Sequence, residues 1–214
     1  MHSIVSRGLT SYHIKLLAAV TMLLDHVGVV FFPDVVGLRI IGRISFPLFI
    51  WLLVQGAAHT RNPGRYGLRL AVLGLVSQPI YQLTFGVTGL NILFELLVGL
   101  VCLRLVRQLP QLQLAIWLGG AGLSELLPMG YGSYGIALVA LTYYFRPRAV
   151  WWLVWVGFHL VWAGFGGGFQ LPAIAVPLIF RLANGKRGPQ ARWFYAFYPG
   201  HLALLWLIGQ GVGG

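Results

Sequence analysis

The chain is a succession of apolar segments, each about 15 to 20 residues long, separated by short breaks rich in proline, glycine and asparagine. A helical segment of this length matches the hydrocarbon thickness of a bilayer. Only 9% of the 214 residues are charged, whereas a water-soluble domain carries about a quarter. The segments therefore predict an all-α, polytopic transmembrane bundle that forms a single domain over residues 1–214.

Turn-forming residues divide the chain into about nine predicted helices. The sixth and eighth segments are short, and the eighth contains Pro172 and Pro177, which disfavour a regular helix. One predicted break is the glycine run at residues 166–168. The predicted helices are 14–32, 38–58, 68–86, 90–106, 112–127, 133–146, 149–164, 170–182 and 193–209.

Basic residues occur in every second connection between the predicted helices, and they give the chain a formal net charge of +11. The connections near 87–89, 128–132 and 165–169, and the C-terminal residues, contain no lysine or arginine. This alternation predicts a bacterial inner-membrane protein with a cytoplasmic N-terminus and an external C-terminus. The charge thus indicates orientation in a bilayer with anionic lipids, and not a nucleic-acid partner. The basic groups are Arg7 and Lys15; Arg61, Arg65 and Arg69; Arg104 and Arg107; Arg146 and Arg148; and Arg181, Lys186, Arg187 and Arg192.

Two adjacent ionisable residues, Asp25 and His26, interrupt the first apolar segment, although a carboxylate in hydrocarbon costs a few kcal/mol. Arg39 and Arg43 lie one turn apart near the start of the second predicted helix. In a helical hairpin that turns near residue 35, Asp25 lies at about the depth of Arg43. We therefore expect an ion pair between Asp25 and Arg43 or Arg39, which explains Asp25 structurally at least as well as functionally.

His26 points about 100° away from Asp25 around the first helix, so it faces another groove. Lys15 lies on the same stripe about 16 Å earlier, a distance comparable to an extended pantetheine arm. Lys15 would then meet phosphates at the cytoplasmic mouth, and His26 would meet a thioester. A neutral imidazole, with an ordinary pKa of about 6.5, can take a proton from an attacking amine or hydroxyl, or can itself be acylated.

The other intramembrane polar residues have weaker individual signals. Glu95 follows Asn91 by one turn, so we expect both to face one polar cavity. Asn91, Gln78 and the arginine pair are candidates to stabilise an oxyanion. His201 is explained equally by hydrogen bonding between helices and by catalysis. No His, Cys, Asp and Glu spacing predicts a metal site, and the single cysteine excludes an internal disulfide.

Four blocks of the sequence closely resemble the TraX family, and together they cover nearly the whole chain. They read "KLLAAVTMLLDHVGVVFFP", "LRIIGRISFPLFIWLLVQGAAHTRNPGRYGLRLAVLGLVSQP", "NILFELLVGL" and "WFYAFYPGHLALLWLI". The namesake of the family acetylates the amino terminus of conjugative F pilin. The spacing of a basic residue and a histidine on the first helix also resembles the wider superfamily of polytopic membrane acyltransferases, which use cytoplasmic acyl-CoA.

This resemblance implies that His26 is the catalytic histidine, assisted by Lys15 and Arg43, and that the "HTRN" stretch meets the CoA phosphates. The family's "DYG" element reads Gly130-Tyr131-Gly132 here, so an acceptor contact by that aspartate is missing. The sequence thus predicts three groups of site residues. The predicted catalytic residues are His26, Asp25, Arg43 and Glu95, and the predicted acyl-CoA contacts are Lys15, Arg39, His59, Arg61, Asn62 and Arg65. The predicted substrate-side or supporting residues are Asn91, Gln78 and His201.

The predicted function is acetyl transfer from acetyl-CoA, or from another acyl-CoA, to an exported or membrane-presented acceptor such as a pilin amino terminus or an envelope glycan. Two other classes of function fit the same residues. A small proton-coupled transporter would use the intramembrane ionisable groups as a relay, although the chain lacks the repeats typical of such folds. A non-catalytic assembly factor for pili or envelope complexes would use them only for structure.

Overall fold

The computed structural model describes residues 8–212, and within this range the chain is all-helical without β-strands. Arg7 of the first predicted basic group lies outside the described residues. The α-helices, numbered in chain order, are α1 Ser11–Phe31, α2 Val36–Gly42, α3 Ser45–His59, α4 Pro63–Phe85, α5 Ile92–Gln108, α6 Gln113–Leu126, α7 Gly132–Tyr143, α8 Ala149–Trp162, α9 Val176–Leu182 and α10 Trp193–Val212.

The second predicted helix is present as the pair α2 and α3, with a short break at Arg43 and Ile44. Both of these residues keep a helical backbone conformation, and the stretch Val36–His59 is apolar over 24 residues. Pro47 lies just inside α3 and has no N–H to donate to the Arg43 carbonyl. The missing hydrogen bond explains why one apolar segment forms two helices.

The chain reverses direction after α8, at the predicted glycine break. Gly166 has a φ of 93°, which is a left-handed conformation that glycine adopts without steric cost. Beyond it, a 3₁₀ segment, Gly168–Ala175, runs back along α8, and the Trp155 Nε1 donates to the Ile174 carbonyl at 3.2 Å. The two prolines of the eighth predicted helix restrict its regular part to the seven residues of α9.

Three apolar helical stretches are long enough to cross a membrane: Ser11–Phe31, Val36–His59 and Ala149–Leu182. The third contains the reversal at Gly166 and is therefore a helical hairpin. Large apolar side chains also cover the outside of the other helices, for example Leu75 of α4, which is 64% exposed, and Leu126 of α6, which is 85% exposed. This distribution suits lipid and not water, so the chain is a membrane protein. The number of spans and the orientation of the termini stay predictions.

Side-chain contacts gather the first turns of α1, α4 and α10 and the last turns of α3 and α5 at one end of the bundle. We call this the basic end, because it carries the predicted basic connections. At the opposite end the start of α5 meets the loop before α7, where the Leu90 amide donates to the Pro128 carbonyl at 2.8 Å. The contacts that define the basic end are Lys15 with Phe194, Arg69 with Tyr195, and Arg107 with Ala57.

Helix α3 lies in the middle of the bundle, because it packs against α1, α5, α7 and α9. Its buried residues contribute to two apolar clusters. Ile50 and Leu53 face the main cluster, while Leu48 and Trp51 face a smaller one with α1 and α9. Helix α10 packs on α1 and α4. This arrangement leaves a polar cavity beside the middle of α1.

Candidate functional site

A cavity of about 280 Å³ lies between α1, α2, α3, α4, α10 and the loop that precedes α7. The apolar part of its wall includes Met22, Phe46, Phe49 and Phe85. The polar part includes six residues from four separate regions of the chain. These residues are Asp25, His26, Arg39, Arg43, Tyr131 and Gln170.

Asp25 binds both arginines of the second apolar stretch. Its Oδ1 accepts from the Arg39 Nε at 2.9 Å, and its Oδ2 accepts from the Arg43 Nη2 at 2.6 Å. Asp25 and Arg43 are buried, whereas the side chain of Arg39 is 32% exposed. The predicted ion pair is therefore present, and it includes two cations for one carboxylate.

The close approach of α1 and α2 explains how the ion pairs form. A Cβ atom on Gly42 would overlap the side chain of Asp25, so only glycine fits at this crossing. The Phe169 ring lies over both guanidinium groups, with its centroid 5.5 Å from the Arg39 Cζ and 5.2 Å from the Arg43 Cζ. This cation–π packing holds the two arginines in place beside the cavity.

His26 forms a pair with His201 of α10. The His26 Nδ1 lies 2.8 Å from the His201 Nε2, and the His201 Nδ1 lies 2.7 Å from the Phe197 carbonyl oxygen. Because a carbonyl only accepts, the His201 Nδ1 carries a proton, and in the neutral ring its Nε2 is an acceptor. The neutral pair thus has His26 protonated at Nδ1. The lone pair of its Nε2 remains as a proton acceptor.

Gln78 and Asn91 lie outside the lining of this cavity and join α4 to α5. The Asn91 Nδ2 donates to the Gly74 carbonyl at 2.7 Å and to the Gln78 Oε1 at 2.8 Å, and the Gln78 Nε2 donates to the Gly89 carbonyl at 2.8 Å. The Asn91 Oδ1 caps α5 by accepting from the Leu93 amide. Their observed contacts are structural, and their predicted substrate-side role stays a prediction.

Glu95 is 1% exposed and also lies outside the cavity lining, with its carboxylate beside Gly135 of α7. The expectation that Glu95 and Asn91 share one polar cavity is wrong. Asn91 is the N-cap of α5, with an extended backbone at ψ 163°, so its side chain folds over the helix end and does not follow the helical face. The predicted catalytic role of Glu95 stays a prediction.

The predicted acyl-CoA residues lie in two places, because Arg39 is in the cavity wall and the others are at the basic end. Asn62 caps α4 by accepting from the Arg65 amide at 2.9 Å, and the His59 Nδ1 donates to the Gln55 carbonyl at 2.9 Å. These contacts occupy the Asn62 Oδ1 and the His59 Nδ1. The guanidinium of Arg61 and that of Arg65 carry the charge of this stretch.

Two aromatic rings connect the basic end with the cavity. The Lys15 Nζ lies 5.5 Å from the centroid of the Phe194 ring. Phe194 stacks on Phe49 with a centroid distance of 5.6 Å, and Phe49 lines the cavity. Lys15 and His26 lie on the same continuous helix α1, and aromatic contacts extend from Lys15 to one residue of the cavity wall.

Five polar residues of the cavity wall were missed by the sequence reasoning, namely Ser45, Tyr81, Tyr131, Gln170 and Tyr198. Tyr131 stacks on Phe46 with a centroid distance of 3.7 Å, and the only signal for it was its place in the "GYG" element. Gln170 reaches the wall through the 3₁₀ segment after the reversal at Gly166. No sequence pattern distinguishes it.

The fold and the cavity define an all-helical membrane protein with an ion-paired arginine cluster and a histidine pair around one internal site. The model of the TraX protein family matches residues 11–209. The chain therefore belongs to the TraX family, as the resemblance of its four sequence blocks implies. It is also similar to the probable fimbrial assembly protein FimC, serogroup H1, of Dichelobacter nodosus, with 30% identity over 233 aligned positions that cover 92% of this chain and 94% of the relative. No solved structure matches the chain.

Proposed function

We propose that the protein is a multi-pass acyltransferase of the bacterial inner membrane. It transfers an acetyl group from acetyl-CoA, or an acyl group from another acyl-CoA, to an exported or membrane-presented acceptor such as a pilin amino terminus. The observation that carries this proposal is the histidine pair, because it leaves the His26 Nε2 as a proton acceptor in a cavity lined by two arginines.

The proposed reaction uses His26 as the general base. The nitrogen or oxygen of the acceptor attacks the thioester carbonyl carbon, and its proton passes to the His26 Nε2. The new C–N or C–O bond forms, the C–S bond then breaks, and the proton leaves with the CoA thiol. The His26 Nδ1 proton stays in its hydrogen bond with His201 throughout, so the base keeps one orientation.

Arg43 is suited to stabilise the tetrahedral oxyanion. Its Nη2 donates to Asp25 and its Nε donates to the Arg39 carbonyl at 3.3 Å, while the guanidinium lines the same cavity as His26. Removing one preorganised donor to an oxyanion costs about 10²- to 10³-fold in rate in other enzymes. In this reading Asp25 holds Arg43 in place and takes no part in proton transfer.

The basic end is suited to the phosphates of the acyl donor, since Lys15 and the arginines after α3 carry the charge there. Predicted orientation by the positive-inside rule puts this end in the cytoplasm, where acyl-CoA is found. In this proposal the pantetheine arm extends along α1 from Lys15 towards His26. Phe194 contacts Lys15 and Phe49 lines the cavity, so we expect the donor to contact these two rings.

The test is release of CoA from acetyl-CoA by the detergent-purified protein, with wild type compared with His26→Ala. We expect slow CoA release by the wild type, and a loss of about 10²- to 10⁴-fold in His26→Ala with the fold intact. His159→Ala is the matched control, because it removes another hydrogen-bonded intrahelical histidine, whose Nδ1 lies 2.8 Å from the Trp155 carbonyl oxygen, and His159 does not line the cavity. If the folded wild type neither binds nor cleaves acetyl-CoA or longer acyl-CoAs, the acyltransferase proposal fails.

A non-catalytic assembly factor is the second candidate, and the name of the Dichelobacter relative favours it, since that protein is described as a probable fimbrial assembly protein. In that case His26 serves packing alone, and His26→Asn keeps pilus or envelope assembly in the host. If the protein is an acyltransferase and assembly requires the modified acceptor, His26→Asn abolishes assembly. The purified-protein assay and this host assay together distinguish the two candidates.

A further inference from the structure

The ion-paired cluster of the cavity wall carries one positive charge in excess, because within the described part of the chain Asp25 is the one carboxylate that pairs with Arg39 and Arg43. Among the described residues, the other carboxylates do not line the cavity. Glu125 is occupied at the opposite end of the bundle, where its Oε1 accepts from the Ser133 amide at 2.7 Å. An uncompensated guanidinium beside a cavity in a membrane protein is costly without an anion.

We infer that this excess charge forms a binding site for an anionic group, a carboxylate or a phosphate, on the acceptor substrate. The inference rests on the proposed function, in that it assumes a second substrate in the cavity. It names the chemical class of that substrate: an amine or alcohol that also carries an anion within reach of Arg39.

Arg39 has the geometry that such a site requires. Asp25 uses only its Nε, and no hydrogen bond of the described residues uses its two terminal nitrogens. These form a planar fork that suits bidentate binding of carboxylate or phosphate. The Arg39 side chain is 32% exposed, compared with 9% for Arg43, so Arg39 is the accessible member of the pair. Phe169 supports its guanidinium from one side.

Two neutral groups stand near the same part of the wall. Tyr131 lines the cavity, contributes a phenol hydroxyl and stacks on Phe46. Gln170 also lines it, directly after the Phe169 that covers the arginines. A hydroxyl and an amide beside a guanidinium supply the hydrogen bonds that a bound oxyanion accepts.

The charge balance of the proposed reaction agrees with this assignment. With the anionic acceptor bound, the cluster and the ligand sum to zero. Proton transfer then creates an imidazolium on His26 and an oxyanion near Arg43, which also sum to zero. A neutral acceptor would leave a net charge of +1 in the cavity at every step, and this is less favourable in a low-dielectric environment.

The test is calorimetric titration of the detergent-purified protein with sodium acetate and with sodium phosphate, with sodium chloride as the reference titrant. We expect saturable binding of at least one oxyanion beyond the chloride response, and a loss of about 10- to 100-fold in Arg39→Gln, as for a charge-assisted hydrogen bond. Arg39→Lys keeps the charge without the fork and is expected to be intermediate. Preference for acetate indicates a carboxylate on the acceptor, and preference for phosphate indicates a phosphate.

Two controls keep this result separate from the proposed function. Arg148→Gln removes an exposed arginine at the start of α8 and is expected to bind the anion as the wild type does. His26→Ala is expected to bind it too, although it loses CoA release. The inference is overturned if the folded wild type binds neither oxyanion more than chloride, or if Arg39→Gln and Arg148→Gln bind equally. Either outcome leaves the His26-dependent cleavage of acetyl-CoA to be judged by its own assay.

Discussion

Replacing His201 with leucine tests whether the histidine pair orients a catalytic base. The substitution removes the acceptor of the His26 Nδ1 proton, which lies 2.8 Å away. It costs little elsewhere, because the Phe197 carbonyl also accepts the regular backbone hydrogen bond of α10. The His26 ring then populates both neutral tautomers, and only one of them presents an acceptor at Nε2 to the cavity.

The expected size of the effect follows from the energy of one hydrogen bond. An intramolecular hydrogen bond contributes a net of about 0.5–1.5 kcal/mol, and about 1.4 kcal/mol of barrier corresponds to a tenfold change in rate. His201→Leu should therefore lower the rate of CoA release by about 2- to 12-fold, with the KM for acetyl-CoA nearly unchanged. His201→Gln restores an acceptor and should recover part of this loss.

The assay is initial-rate CoA release by purified variants, with the folded fraction of each sample determined by thermal unfolding in detergent. His159→Leu is the matched control, because it also removes a buried histidine that bonds a carbonyl one turn earlier. A wild-type rate in His201→Leu would show that His201 does not orient the base. An equal loss in His159→Leu, or a change in KM alone, would show the same.

Three further predictions concern stability, measured as the free energy of unfolding in detergent. Gly42→Ala inserts a Cβ into the space of the Asp25 side chain and should cost about 1–3 kcal/mol, whereas Gly119→Ala, with open space around it, should cost nothing. Asp25→Asn leaves the paired guanidiniums without a counter-charge and should cost about 3–5 kcal/mol. Asn91→Leu removes the side-chain donor to Gly74 and Gln78 and leaves the Leu93 amide without its capping acceptor, and it should cost about 1–3 kcal/mol.

Each of these predictions has a result that contradicts it. Equal stability of the two glycine variants would mean that α1 and α2 are not in close contact at Asp25. An unchanged free energy of unfolding in Asp25→Asn would mean that water screens both arginines. An unchanged free energy of unfolding in Asn91→Leu would mean that α4 and α5 associate through apolar packing alone.

The sequence predicts those parts of the molecule that depend on local periodicity. The ion pair of Asp25 with the arginines follows from helical spacing on either side of one tight turn, and the reversal at Gly166 follows from a glycine run between two apolar segments. In both cases the interacting residues are close in sequence, so the geometry of one or two helices is sufficient. The break between α2 and α3 was not predicted, since Pro47 removes only one backbone hydrogen bond.

The rest of the site depends on how distant helices pack. His26 and His201 are 175 residues apart, and nothing in either segment specifies that α10 lies against α1 at this depth. Asn91 illustrates the opposite error, because its helical spacing to Glu95 was applied to a residue that caps the helix and is not part of it. A polar residue at a predicted helix boundary is therefore better interpreted first as a cap.

The histidine pair also bears on the choice between an enzyme and a proton-coupled carrier. A proton taken up by the His26 Nε2 can be matched by transfer of the Nδ1 proton to His201, but the His201 Nδ1 already bonds the Phe197 carbonyl at 2.7 Å. A backbone carbonyl cannot relay a proton onward, so within residues 8–212 the hydrogen bonds of this pair lead no further than α10. A carrier requires a path that continues to the other side of the membrane, whereas a general base requires only an acceptor that is held in one orientation and returns its proton to a leaving group. The geometry of the pair is therefore of the kind that the proposed general base requires.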